Sequence, residues 1–308
     1  MEKKRGYAMA VMSGSVISIL SAVCFALAAI FTRRAVMRVT DSSVGVILSI
    51  FLAVPLFAVI VLATDQWAEV WAFTRREYLF LAMAGIFHFI IGRSFYYLGI
   101  QIVGANMANV LVSGHPFYSV VSGLLIFDEP LSWQLALGAL LVIGGVLIII
   151  WGPMSSGSDQ SLRSKALFKG VLSALAAGLV YGLTPIPVKL GLGASGSPEA
   201  ATLVSYVAAS AVGLGILSSR SKRHSFLSMD KGGFMWFSLG GFFVGMAQLF
   251  RYQALSLIPM SRVGPLIAIS PLLVIIFSFV VNRNLETFRL KIILGGLAVV
   301  AGTYVLFL

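Results

Sequence analysis

Charged residues are scarce in this chain. Only 11% of its 308 residues are charged, whereas 59% are hydrophobic, and the mean hydropathy is +0.98. A soluble domain of this length exposes a surface that needs far more charge. The scarcity therefore excludes a soluble globular protein and predicts an all-α, polytopic membrane protein.

Cysteine and histidine are nearly absent as well. Cys24 is the only cysteine, and the three histidines are dispersed at 88, 115 and 224. A lone cysteine excludes an intrachain disulfide and a cysteine-based metal site. We therefore expect no metal and no cofactor, with a proton as one candidate for a coupling ion.

Catalytic motifs and membrane-embedded carboxylates are also missing. The chain has no GxSxG elbow, no HExxH helix and no Walker-type loop, so we expect no enzyme activity. Its eleven acidic residues all fall in predicted loops or at helix ends. A proton-driven exporter of organic cations usually needs a carboxylate inside the membrane, and this mechanism is disfavoured.

Basic residues outnumber acidic ones and give a net charge of +11. In a soluble protein this excess would suggest nucleic acid as a partner. Here the basic residues mostly flank apolar runs, which is typical of membrane anchoring and topology. The expected partners are the lipid bilayer and a small-molecule substrate, with no nucleic acid, for a protein that is a monomer or a homodimer.

Ten segments are long and apolar enough to cross a bilayer, which takes about 20 residues. We number them spans 1 to 10 in chain order: 11–31, 44–63, 78–99, 105–126, 133–151, 170–188, 200–217, 234–255, 262–281 and 289–308. The connections between them are short, so none forms a soluble domain.

The spans form two copies of a five-span unit. FALAAIFTR at 25–33 recurs as YGLTPIPVK at 181–189, and other matches keep an offset of 155 to 157. An odd number of spans per copy inverts the second copy in the membrane. We predict repeats at 1–152 and 166–308, joined by a linker at 153–165. Inverted repeats are typical of secondary transporters, with the substrate site near the midplane.

Two spans carry matched polar faces at spacings i, i+3, i+4 and i+8, which share one side of a helix. In span 3 they are Arg93, Tyr96, Tyr97 and Gln101. In span 8 they are Gln248, Arg251, Tyr252 and Ser256. The copies are not identical, because Arg93 aligns with Gln248 whereas Arg251 aligns with Tyr96.

An arginine inside a span must face a wet cavity or a partner, since lipid exposure costs about 3 kcal/mol or more. We therefore predict a shared cavity in which Arg93 and Arg251 bind a carboxylate or another anionic group. The alternative is that each arginine caps backbone carbonyls or extends to the interface. The tyrosines have the alternative of ordinary packing. The predicted substrate-binding residues are Arg93, Tyr96, Tyr97, Asn109, Ser113, Gln248, Arg251 and Tyr252.

These features resemble the drug/metabolite transporter superfamily, of the EamA type. Span 1 closes on basic residues, as does its copy, and the segment FDEPLSWQLALGALLVIGGVLII from Phe127 resembles the family's acidic loop and Gly-rich fifth helix. The residues that match this second pattern are Glu129, Leu131, Ser132, Gln134 and Gly138. In the second copy the acidic position aligns with either Asn284 or Glu286.

The resemblance implies an inner-membrane, multi-pass carrier that works by alternating access, with spans 1, 3, 4, 6, 8 and 9 around a central cavity. It also implies small polar metabolites, often amino acids, commonly exported, and cytoplasmic termini. The Lys and Arg count opposes that orientation, with seven on the side of the termini and thirteen on the other. We call the side with thirteen the basic end.

The sequence thus predicts a secondary transporter, expected to export a small organic metabolite such as an amino acid or another carboxylate-bearing solute. One alternative is a carrier of neutral or cationic compounds in which the arginines are structural. The alternative of another class is a non-transporting membrane scaffold or partner subunit, which has no need of two matched polar faces.

Overall fold

The predicted spans are helical in the structure, a computed structural model that describes residues 2–115, 118, 133–150, 160–192, 197–258, 263 and 266–306. Spans 1 to 5 contain the helices Glu2–Val36, Ser43–Ala63, Arg75–Gly85, Arg93–Val103, Ala105–Val112 and Trp133–Ile150, with a π-helical segment at Ile86–Gly92. Spans 6 to 10 contain Gln160–Leu183, Pro185–Leu192, Pro198–Leu217, Lys231–Leu257, Ser270–Val281 and Leu290–Leu306. Two short helices, Trp67–Ala72 and Arg220–Leu227, connect spans.

The membrane class is confirmed by the length and composition of these helices. Six of the described helices can cross a membrane, and three shorter apolar helices accompany them. The later part of span 4 and the start of span 9 lie largely outside the described residues, as does most of the predicted linker.

Residues that favour or forbid backbone hydrogen bonds set the helix ends. Gly104 separates spans 3 and 4 with φ +87°, a left-handed conformation that glycine adopts without a steric penalty. Thr74 opens span 3 through a capping box with Glu77, and Asp230 caps the first turn of span 8. Pro185 restarts span 6 after Thr184, because proline lacks the N–H that a continuous helix needs.

The two copies pack against each other in reciprocal pairs. Span 1 packs against span 8 and span 3 against span 6, while spans 2, 4 and 5 pack against spans 7, 9 and 10. Span 8 is the copy of span 3, and span 6 is the copy of span 1, so every pair is exchanged by one pseudo-two-fold operation. This pairing agrees with two inverted five-helix repeats, and the predicted fold class is confirmed.

A close approach of spans 3 and 7 requires glycine at position 85. A Cβ there would lie 2.1 Å from the Ser205 carbonyl oxygen, and a backbone atom has little freedom to move away. We expect Gly85→Ala to destabilise the protein by about 1–3 kcal/mol through overpacking, measured as a lower apparent melting temperature in detergent. The control is Gly215→Ala, where a Cβ meets nothing within 4 Å. Equal melting temperatures for the two variants would contradict the prediction.

Candidate functional site

Arg93 lies in a packed pocket made by three spans. Its side chain is 1% exposed, and its two terminal nitrogens donate to Ser49 Oγ at 3.1 Å and to Tyr206 Oη at 3.2 Å. The guanidinium carbon lies 5.0 Å from the ring centroid of Phe89 and 5.8 Å from that of Tyr206. Neutral hydroxyls and aromatic faces therefore surround this cation.

Arg251 is in the opposite situation. It is partly exposed and lies six residues before the end of the helix Lys231–Leu257, about 9 Å from that end. Among the described residues, its guanidinium makes neither a hydrogen bond nor an ion pair. The buried carboxylate of Glu199 accepts from Gln253, which lies in the same helix as Arg251. Arg251 is thus a cation without a counterion in the described part of the bundle.

Aromatic and imidazole side chains lie in the same region as Arg251. Tyr252 follows it in span 8, and Gln248, one turn earlier, has its Nε2 2.7 Å from His88 Nε2 of span 3. The His88 ring in turn stacks on Tyr181 of span 6. Spans from both copies therefore meet in this region.

A hydrogen-bonded network joins spans 3, 4 and 9 through Asn109. Its Nδ2 donates to Tyr96 Oη at 3.0 Å, and its Oδ1 accepts from Ser113 Oγ at 3.4 Å and Ser270 Oγ at 3.3 Å. Tyr96 is partly exposed, whereas Asn109 is buried. Three of the predicted site residues are therefore brought together, and Ser270 joins them from the second copy.

His88 and Gln248 link the two polar spans directly. Gln248 Nε2 lies 2.7 Å from His88 Nε2, and the ring of Tyr181 stacks on His88 at 4.3 Å between centroids. An ideal α-helix turns His88 away from Arg93, but the π-helical segment Ile86–Gly92 changes this relation. Its i→i+5 hydrogen bonds bring residues five positions apart, such as these two, towards a common face.

The remaining predicted residues are packed more tightly than a cavity requires. Tyr97 and Tyr252 are buried, and Tyr97 stacks on Phe237 with centroids 6.0 Å apart. Gln101 donates to the carbonyls of Val36 and Val39 at the end of span 1. Among the residues of the two matched polar faces that lie deep in the bundle, only Tyr96 and Arg251 are partly exposed.

Sequence reasoning assigned no role to several residues of this region: Ser49, Tyr181, Tyr206 and Ser270. Tyr181 carried a usable signal, because it opens the second copy of the repeated motif. Tyr206 is the one tyrosine of span 7, and a polar side chain inside a membrane span is worth testing by default. Ser49 and Ser270 carried no signal, since serine is common in membrane helices.

Polar contacts tie the copies together at the basic end. Arg33 Nε lies 2.9 Å from Glu286 Oε1, and Arg33 also donates to the carbonyl of Ile100 at 2.8 Å. The Glu286 carboxylate accepts from the backbone N–H groups of Ala105 at 2.8 Å and Asn106 at 3.1 Å, the first residues of span 4. Burial raises the pKa of Glu286, and this effect outweighs the backbone N–H groups and Arg33, which lower it.

The fold and this region define a class: a helical membrane protein of two pseudo-symmetric copies, with a cation in its interior that has no counterion among the described residues. The chain belongs to the EamA-like transporter family, whose sequence profile matches residues 12–151 and 168–308. Members of this family are transporters rather than enzymes, and the protein is placed among transporters of small solutes.

A solved structure described only as a crystal structure of a protein has the same overall fold. It superposes with a TM-score of 0.61 at 14% sequence identity, over 96% of this chain and 97% of the other. This likeness concerns the fold alone. No curated protein matches the sequence.

Proposed function

We propose that this protein is a secondary transporter that moves a small organic solute bearing a carboxylate or another anionic group by alternating access. The observation that carries the proposal is the state of Arg251, a partly exposed cation with no acceptor among the described residues. A guanidinium offers a planar fork that fits a carboxylate with two hydrogen bonds. A solute is the natural source of the missing counterion.

The alternative of a neutral or cationic solute requires both arginines to be structural. The contacts of Arg93 with Ser49 and Tyr206 support that interpretation for Arg93, and we propose that Arg93 stabilises the bundle. Arg251 has no such contacts with the residues that the structure describes, which favours an anionic solute. The network around Asn109 offers hydrogen bonds to a second polar group, as an amino acid or a hydroxy acid would present.

Alternating access needs contacts that form and break at each end of the bundle. The Arg33–Glu286 pair and the bonds of Glu286 to the start of span 4 join the copies at the basic end, and they are polar contacts that water can replace. We propose that they close this end in one state of the cycle.

Export from the cell, an inner-membrane location and cytoplasmic termini are proposed from the family pattern. A reporter that is fused to a terminus and is active on only one side of the membrane tests the orientation.

The test of the proposed function is transport in liposomes of solutes that differ only in charge. We expect an amino acid or hydroxy acid to enter protein-containing vesicles at least about tenfold faster than its amide, because the lost ion pair corresponds to about 1.4 kcal/mol or more. The decarboxylated amine is the third member of each set. Faster movement of the amine or the amide would contradict an anionic solute, and no movement of any solute would favour the scaffold alternative.

A further inference from the structure

Tyr181 is an aromatic ring held in one orientation by residues of span 3. One of its faces stacks on the imidazole of His88, with centroids 4.3 Å apart and planes at 28°. Tyr96 meets it edge to face at 6.3 Å and 67°. Gly92 lies against its edge, since a Cβ at that position would come within 2.5 Å of Tyr181 Cε1. Three residues of span 3 thus fix a ring that belongs to span 6.

Tyr181 is a partly exposed residue despite these neighbours. His88 covers one face of the ring and Gly92 lies against one edge, and the surface of Tyr181 that they leave uncovered is where a solute would meet it. Arg251 lies in span 8 one helical turn after Gln248, whose Nε2 is 2.7 Å from the His88 ring that stacks on Tyr181, so the cation belongs to the same region of the bundle. A fixed aromatic ring and a cation without a counterion among the described residues are therefore brought together where the two copies meet.

We infer that Tyr181 is a platform on which the transported solute stacks a planar ring while its carboxylate binds Arg251, so that aromatic carboxylates are the substrate class. The inference rests on the proposed function and specifies its substrate. Aromatic rings gain from offset or edge-on contact with a second ring beyond the area that they bury. A ring that is already fixed loses little conformational entropy when the solute binds, which increases affinity.

The neighbours of the platform explain why a planar group fits better than a bulky aliphatic one. Tyr96 stands edge-on to Tyr181 and is anchored by its hydrogen bond to Asn109, so two aromatic surfaces meet at an angle. An aromatic solute would contact a face of one ring and the edge of another, an arrangement that aromatic groups prefer.

The test compares phenylacetate with cyclohexylacetate, two acids with the same carboxylate and the same number of carbon atoms. We expect phenylacetate to bind the purified protein at least about fivefold more tightly, measured by ligand-induced thermal shift. A merely apolar pocket would prefer cyclohexylacetate, which exposes more hydrocarbon to water. Equal affinities, or tighter binding of cyclohexylacetate, would overturn the inference while leaving the proposed function intact.

Variants of Tyr181 test whether this residue causes the preference for phenylacetate over cyclohexylacetate. Tyr181→Phe should keep the ratio of the two affinities, whereas Tyr181→Leu should reduce it to about one or reverse it without abolishing the binding of either acid. Tyr304→Leu, at an exposed position of span 10, is the control and should retain the wild-type ratio. A ratio that survives in Tyr181→Leu would overturn the platform, even if that variant is less stable, because a ratio is independent of the fraction folded. Failure of both acids to bind the wild type would instead count against the proposed function, and the inference would fall with it.

Discussion

Replacing Arg251 by alanine is expected to weaken the binding of carboxylate solutes by about 100-fold or more. Removal of one partner from a desolvated, hydrogen-bonded charge pair costs about 2–5 kcal/mol, and 100-fold corresponds to about 2.7 kcal/mol. The ligand-free variant should melt at the same temperature as the wild type or higher. Arg251 forms no hydrogen bond or ion pair with the described residues, so its removal breaks none there and relieves a desolvated charge.

Thermal shift and liposome uptake measure the two halves of this prediction. Arg251→Lys keeps the charge but loses the planar fork, so we expect intermediate affinity. The matched control is Arg75→Ala, which replaces an exposed arginine at the start of the helix Arg75–Gly85 and should change neither affinity nor melting temperature. A large loss of ligand-free stability in Arg251→Ala would point to a structural role instead.

Hydropathy and the repeat were sufficient to predict the architecture. Spans of about 20 apolar residues are specified locally, because each helix satisfies its own backbone in lipid. The offset of 155 to 157 predicted two copies, and the reciprocal packing of span 1 with span 8 and span 3 with span 6 agrees with it. Local sequence features were therefore enough to predict the fold class.

The different environments of the two arginines were not predictable in the same way. Ser49 and Tyr206, the partners of Arg93, lie 44 and 113 residues away in sequence, and nothing in span 3 identifies them. The π-helical segment before Arg93 was also hidden, because an ideal helical period was assumed through span 3. With an ideal α-helical period, His88 is on a different side of span 3 from Arg93. The wider turn of the π-helical segment brings His88 towards the side of Arg93.

The acidic position of the second copy shows a similar limit. The alignment left Asn284 and Glu286 open, since both lie near the expected offset from Glu129. In the structure Glu286 pairs with Arg33 and caps the start of span 4, whereas Asn284 is exposed. Whether Asn284 or Glu286 takes this position depends on which side chain reaches the N-terminus of span 4 in the other copy. The sequence between spans 9 and 10 does not contain that information.

Replacing Arg93 separates a structural arginine from a substrate-binding one. Arg93→Ala should lower the apparent melting temperature by several degrees. Its side chain is buried between Phe89 and Tyr206, and truncation leaves a cavity that costs about 2–5 kcal/mol. It also removes the donor that bonds Tyr206 Oη. Loss of a buried charge offsets part of this cost, so we expect a net destabilisation of about 2–4 kcal/mol.

Arg93→Met distinguishes packing from charge at the same position. Methionine fills much of the volume without burying a cation, and a well-packed apolar replacement of a buried charge is often neutral or stabilising. We expect Arg93→Met to recover most of the lost melting temperature and to bind carboxylate solutes within about threefold of the wild type, since less than 0.7 kcal/mol separates affinities that close. A stable Arg93→Met variant that binds carboxylates as weakly as Arg251→Ala would restore Arg93 to the substrate site. The two arginines would then bind the solute together, as the matched polar faces of spans 3 and 8 predict from the sequence alone.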